Sequence, residues 1–172
     1  LNGTAAQVIT SSNSTIPDLT MNNSNGVTIN GNITIGDLTL TNGHIIMNAG
    51  DVLTTNSITG SFSANSHIIG LLKRTTDNTS SKVFPVGDGT KYRPVSVVPQ
   101  NSTSSDYTVI FNNSSHSSVD FSQYTNGTPT GSNLHSIANG YYWDISKGNS
   151  APPARIAIGW DATMNVIAPS DI

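Results

Sequence analysis

Four histidines are the side chains in this sequence best suited to hold a metal or move a proton near neutral pH: His44, His67, His116 and His135. No two of them stand at the i, i+2 or i, i+4 spacing that sets two imidazoles on one face of a strand or helix, so the sequence defines no metal site. His44 and His67 each precede Ile-Ile, which predicts a ring at the edge of a coil where a strand begins. Asp88, between Gly87 and Gly89, could offer a carboxylate to calcium. One carboxylate is a poor calcium site, and no Asp-x-Asp-x-Asp-Gly string accompanies it, so Gly-Asp-Gly reads as a hairpin turn. Asp51, Asp161 and Asp171 are equally isolated. The sequence calls for no cofactor and leaves open only a structural calcium ion. For nucleophilic chemistry there are many serines, but no Gly-x-Ser-x-Gly elbow between a strand and a helix. The ten acidic residues form no convincing carboxylate pair for glycoside hydrolysis. The expectation is a chain that is not an enzyme.

Tyr141, Tyr142, Trp143 and Trp160 could stack on sugars, a mode of binding that needs flat, exposed rings more than charge. Alternation along a strand divides them. Tyr141 and Trp143 share one face and Tyr142 takes the other, so Trp143 is expected in the core. Tyr142 and Trp160 remain the candidate glycan-contact residues. Triplets such as Asn2-Gly3-Thr4, Asn32-Ile33-Thr34 and Asn126-Gly127-Thr128 arise by composition in a chain so rich in Asn, Ser and Thr, and they support glycosylation only weakly.

The elements that must position these residues are short strands. Hydrophobic residues make up 35% of the 172 residues and charged ones 10%, below the ~45–50% and ~25% of ordinary soluble domains. The formal charge is only -3, and Val, Ile and Thr recur throughout, a pattern of ordered polar β structure rather than disorder. Seven basic residues give nucleic acid or an anionic membrane little to hold. No apolar run approaches the ~18 residues of a membrane span. With no cysteine, disulfides, thiolate zinc sites and cysteine nucleophiles are all excluded. The start Leu1-Asn2-Gly3-Thr4 has neither an initiator Met nor a signal segment, and reads as an internal piece of something longer.

Asp18-Leu19-Thr20-Met21 recurs as Asp37-Leu38-Thr39-Leu40, 19 residues on, and Asp51-Val52-Leu53-Thr54 echoes it 14 residues later. Period-2 alternation puts Leu19/Met21, Val27/Ile29, Ile33/Ile35 and Leu38/Leu40 each on one strand face, with Thr, Asn and Ser opposite. Short strands near a 20-residue spacing, with Asn and Gly at the corners, predict a parallel β-solenoid over residues 1–76. An antiparallel meander turning at Asn25-Gly26 and Asn42-Gly43 is the competing arrangement, but a hairpin does not require the repeat. The outward Thr28, Thr34, Thr39 and Thr54 form no regular Thr-x-Thr array, which counts against an ice- or crystal-matching face.

From Lys82 the strands lengthen: Lys82 to Thr90, Tyr92 to Val98, Tyr107 to Phe111, Tyr141 to Ile145 and Arg155 to Trp160, with turn clusters between them. No helix signature occurs. These predict an antiparallel β-sandwich over residues 77–172, incomplete at its C-terminal strand unless sequence beyond Ile172 completes it. The Ser-, Asn- and Gly-rich stretch from Asn112 to Asn139 reads as a loop.

In their order, Gly3 to Ile9, Ile16 to Thr28, Asp37 to Gly43, Ile68 to Arg74, Phe84-Pro85-Val86-Gly87 and Tyr92-Arg93-Pro94-Val95 resemble the long repetitive surface and secreted proteins of the Bacteroidota, many exported by the type IX pathway. The resemblance spans nearly the whole chain. It implies solenoid coils running into a β-sandwich that includes Trp143 and Trp160, within a large extracellular protein, with no catalytic residue to transfer. The function expected is a non-catalytic structural or adhesive module at the cell surface or outside the cell. Its partners would be neighbouring domains of the same long chain or like subunits. A carbohydrate-binding module that takes surface glycans is the alternative, as is a repeat or subunit of an extracellular filament.

Overall fold

The computed structural model describes residues 1–114, 140–148 and 151–159. His116, His135, Trp160, Asp161, Asp171 and most of the predicted 112–139 loop lie outside the described residues.

The fold is all-β, a parallel β-solenoid leading into an antiparallel β-sandwich, as the repeat and the later strands predicted. Four successive strand pairs form the coils. The first strands of the pairs, β1 (Gln7–Thr10), β3 (Val27–Asn30), β5 (Ile45–Met47) and β7 (Ile68–Ile69), make one parallel sheet. The second strands, β2 (Ser14–Asn22), β4 (Ile33–Asn42), β6 (Val52–Gly60) and β8 (Leu71–Thr76), make another. The meander is thereby excluded: Gly26 and Gly43, both with positive φ (78° and 88°), turn coil corners rather than hairpins.

Each long strand bends where its alternation slips. In β4, Ile33 and Ile35 are buried, Gly36 and Asp37 are both exposed, and Leu38 and Leu40 are buried again. A gap of three between inward residues, in place of two, turns the chain through a corner while both halves keep an apolar face inward. Stacked coils then bring like over like: Ile16 beside Ile35, Leu19 beside Leu38 beside Ile58, Met21 beside Leu40, and Val27 beside Ile45 beside Ile68. These columns are the core.

Two sequence expectations change. Asp18 does pair with Asp37, but Asp37 pairs with Ser57 and Leu38 with Ile58. The third copy of the repeat is therefore Ser57-Ile58-Thr59-Gly60, and the Asp51 string is not part of it. Asp51 stands just before β6, where its Oδ2 accepts the Gly31 amide at 2.7 Å. Its likeness to the motif is a coincidence of composition, since a true repeat must fall in register. Of the outward Thr28, Thr34, Thr39 and Thr54, the last three also fall into columns, whereas Thr28 stacks between Val8 and Ile46. Thr15, Thr34 and Thr54 form one column across three coils, and Thr20, Thr39 and Thr59 another, with the Thr39 and Thr59 hydroxyls 3.2 Å apart. They lie one coil apart rather than two residues apart, so a search for Thr-x-Thr along the chain misses them.

The architecture changes after β8 without a break in the sheet. The outer edge of β8 pairs antiparallel with β11 (Ser105–Asn112), and β11 with β12 (Tyr142–Lys147). A third sheet, of β9 (Lys82–Phe84), β10 (Val95–Pro99) and β13 (Ala154–Ile158), is antiparallel throughout. Phe84, Val95 and Val97 from it join Tyr107, Val109 and Phe111 in the core.

Replacing Leu38, fully buried between two neighbouring coils, with Ala should cost about 2–5 kcal/mol in urea unfolding. Leu19, its half-buried counterpart on the first coil, should cost less. Thr34→Ala on the outer face should stay within about 0.5 kcal/mol.

Candidate functional site

Coil stacking brings together the two described histidines that the sequence kept apart. Their following residues, Ile45 and Ile68, pair in register, so His44 and His67 occupy one corner column with ring centroids 4.4 Å apart. His67 is fully buried, deeper than the coil edge the sequence assigned it. Its Nε2 accepts the Gly89 amide at 3.1 Å, and its Nδ1 lies 2.9 Å from the Ser63 carbonyl. A ring nitrogen that accepts cannot carry a proton, so the ring is neutral and donates from Nδ1. Burial drives its pKa below 6.5, aided by the His44 ring; the Ser63 bond and the Asp88 charge oppose the shift without reversing it. Tyr92 closes the other side, 6.2 Å between centroids, its own pKa raised by burial.

Asp88 fulfils the hairpin reading. The Asp88 amide donates to the Lys91 carbonyl, and its Oδ1 accepts the Thr90 amide and hydroxyl, both at 2.8 Å, and the Lys91 amide at 2.7 Å. Burial alone would raise its pKa, but these hydrogen bonds and His67 bring it below the ordinary carboxylate range. The turn donors therefore all converge on Oδ1.

Arg74 is a polar group the sequence reading passed over. It sits in inward phase between buried Leu72 and Thr76 in the alternation of β8, and a charged residue at an inward position was the available signal. Its guanidinium donates to the Asn56 carbonyl at 2.6 Å and to the Val83 carbonyl, and stands 5.9 Å over the Phe84 ring. Desolvation lowers its pKa. Next to it and facing outward, Lys73 forms an ion pair with Asp106 at 2.6 Å, and the Thr75 hydroxyl donates to the other carboxylate oxygen.

The aromatic residues divide as alternation required. Trp143 packs against Phe111 (5.3 Å) and Tyr141 (6.4 Å), and its indole N–H donates to the Arg93 carbonyl at 3.1 Å. Tyr142 is half-buried on the opposite face of β12. The other proposed glycan contact, Trp160, lies outside the described residues.

Among the described residues no three His, Cys, Asp or Glu side chains converge as metal ligands, and no helix is long and apolar enough to cross a membrane. Chemically, the arrangement ties chain segments to one another. No family model, curated protein or solved structure matches the chain.

Hydrogen bonding by Lys73, then by Thr75, lowers the Asp106 pKa. A carboxyl with a depressed folded pKa adds stability above its unfolded value of 3.8 and loses it as pH falls through the folded value. Asp106→Asn should cost no more than about 1 kcal/mol at pH 7, the pair being over a third exposed. Its penalty should vanish near pH 2, as measured by thermal unfolding across that range.

Proposed function

We propose that the chain is a non-catalytic structural or adhesive module of a secreted or cell-surface protein, and that its partners are neighbouring domains of the same long chain or like subunits. One observation carries this reading: the titratable groups that the fold brings together are engaged in internal bonds. Both His67 nitrogens are bonded, Asp88 holds its own turn, Arg74 holds two backbone carbonyls and Asp106 holds Lys73 and Thr75. A catalytic acid, base or nucleophile needs a side chain directed at a bound substrate, and these are directed at backbone and at one another.

The outer surface fits the same role. Columns of Thr, with Asn and Ser around them, keep stacked coils soluble without a charge pattern that would select nucleic acid or membrane. Coils stacked about 4.8 Å apart supply stiffness along their axis. The ordered resemblance to repetitive Bacteroidota surface proteins supports an extracellular setting. Against a glycan platform stands Trp143, whose ring is committed to Phe111 and Tyr141.

On a glycan array the purified chain should retain no ligand, and chelation with EDTA should leave its Tm unchanged. Retention that is lost in Tyr142→Ala would replace this reading with a carbohydrate-binding module. A fall in Tm with EDTA, reversed by calcium, would reinstate a structural ion.

A further inference from the structure

His67 joins two segments whose backbones otherwise meet through the isolated Ile68–Val86 bridge. On one side is the turn where Ser63 and Ser66 exchange backbone hydrogen bonds, leading into the last coil. On the other is the Gly87–Tyr92 hairpin that opens the antiparallel part. The ring's two nitrogens play opposite roles, donor to Ser63 and acceptor from Gly89. Gly87 is packed so closely that a side chain there would strike the ring at 2.6 Å. The neighbouring Ile68 amide donates to the Pro85 carbonyl, and Gly87 returns a bond to Ile68, so the hairpin closes the end of the β7 sheet.

We propose that His67 is a proton-operated tie: neutral, it holds the last coil to the Gly87–Tyr92 hairpin, and on gaining a second ring proton it releases the Gly89 amide and lets that end of the solenoid open. The added proton occupies Nε2, the nitrogen that now accepts. The ring and the Gly89 N–H then become two donors facing each other, an arrangement with no hydrogen bond in it. A buried charge without an acceptor is also far more costly than a neutral ring.

The groups facing the ring decide how readily this happens. His44, from the corner before β5, disfavours the charge, and a protonated His44 would add repulsion. Asp88, from the hairpin, favours it. Tyr92 presents a neutral ring, and the Ser63–Ser66 turn presents the Ser63 carbonyl. The sign follows from the protons bound. The unfolded chain takes a proton on His67 near pH 6.5 and the closed structure only below that. Stability from the tie is therefore complete above about pH 6.5 and is lost as pH falls below it.

The test is amide hydrogen exchange and histidine ring NMR on the full chain from pH 8 to 4.5. Gly89 protection should fall by up to about tenfold per pH unit below 6.5, one proton being coupled to opening. The His67 ring should leave its Nδ1–H tautomer over the same range, while the Ile35 and Leu38 amides stay protected. Asp88→Asn should move both changes to lower pH, and His44→Gln to higher pH. The proposal is overturned if His67 titrates at its ordinary value with Gly89 unaffected, if Gly89 opens without any change at the ring, or if Asp88→Asn moves the transition upward.

Discussion

Parallel coils must stack in register, and everything else in this structure is answerable to that requirement. Each residue lies against the one about one coil earlier, so the unit of design is the column rather than the strand. An inward column must be apolar, as Leu19, Leu38 and Ile58 are, or it must satisfy its own polar atoms. Thr55 does so: it follows Ile16 and Ile35 in a buried column, and its hydroxyl lies within reach of the Gly36 and Ser57 carbonyls at the corner. Corners interrupt the backbone ladder, and there asparagine takes over. Asn32 bonds Asn13 in the coil before and the Val52 amide in the coil after, Asn48 bonds Asn30, and the Asn56 side chain accepts the Thr75 amide. A short amide with both donor and acceptor spans the step between coils. Glycine holds the tighter corners: a side chain on Gly43 or Gly60, both at positive φ, would collide with the carbonyl of Asn23 or Leu40 one coil below.

An open sheet edge exposes unpaired backbone groups, and the described residues cover the first and last coils differently. At β1 and β2 the inward residues Ile9, Ile16 and Leu19 are partly covered, and Leu1 pairs beside β2, its nitrogen donating to the Thr20 carbonyl and its carbonyl accepting from the Asn22 amide. At β7 and β8 the ladder is covered by strand, hairpin and side chain. The His67 tie and the β8 to β11 pairing both act at this last coil.

How much of this the sequence revealed depended on whether a feature is local. Alternation and the Asp-Leu-Thr repeat are local, and they predicted strands, inward residues and parallel stacking correctly. That antiparallel strands follow the parallel coils was legible too, as were the inward Trp143 and the Asp88 turn. Register is not local. The Asp51 string looked like a third repeat because composition mimics pattern in a chain so rich in Thr and Asn, whereas Ser57-Ile58-Thr59-Gly60 occupies the true position with only its threonine unchanged. The threonine columns and the His44–His67 contact exist only once coils of 18 to 23 residues are laid over one another, so spacing rules built for single strands or helices pass over them. Burial is likewise collective: nothing next to His67 in the chain marks it as fully enclosed, because its cover comes from residues near 44, 87 and 92.

The point at which the solenoid stops can be read in one column. Ile16, Ile35 and Thr55 stack inward on successive coils, and Arg74 follows Lys73, the last residue of β8 that pairs with β6. A guanidinium there could not be buried beneath another apolar coil, because its desolvation would go uncompensated. It is tolerated because two carbonyls remain for it, Asn56 at the coil corner and Val83 on the sheet beyond. A further parallel coil would lie over that column and shut the guanidinium off from Val83. Its outward neighbour Lys73 meets Asp106 on a strand running the opposite way. Within two residues the sequence thus replaces apolar and hydroxyl columns with charges, and two of their partners, Val83 and Asp106, belong to antiparallel strands. The change of architecture coincides with the point where Arg74 and Lys73 take partners from antiparallel strands.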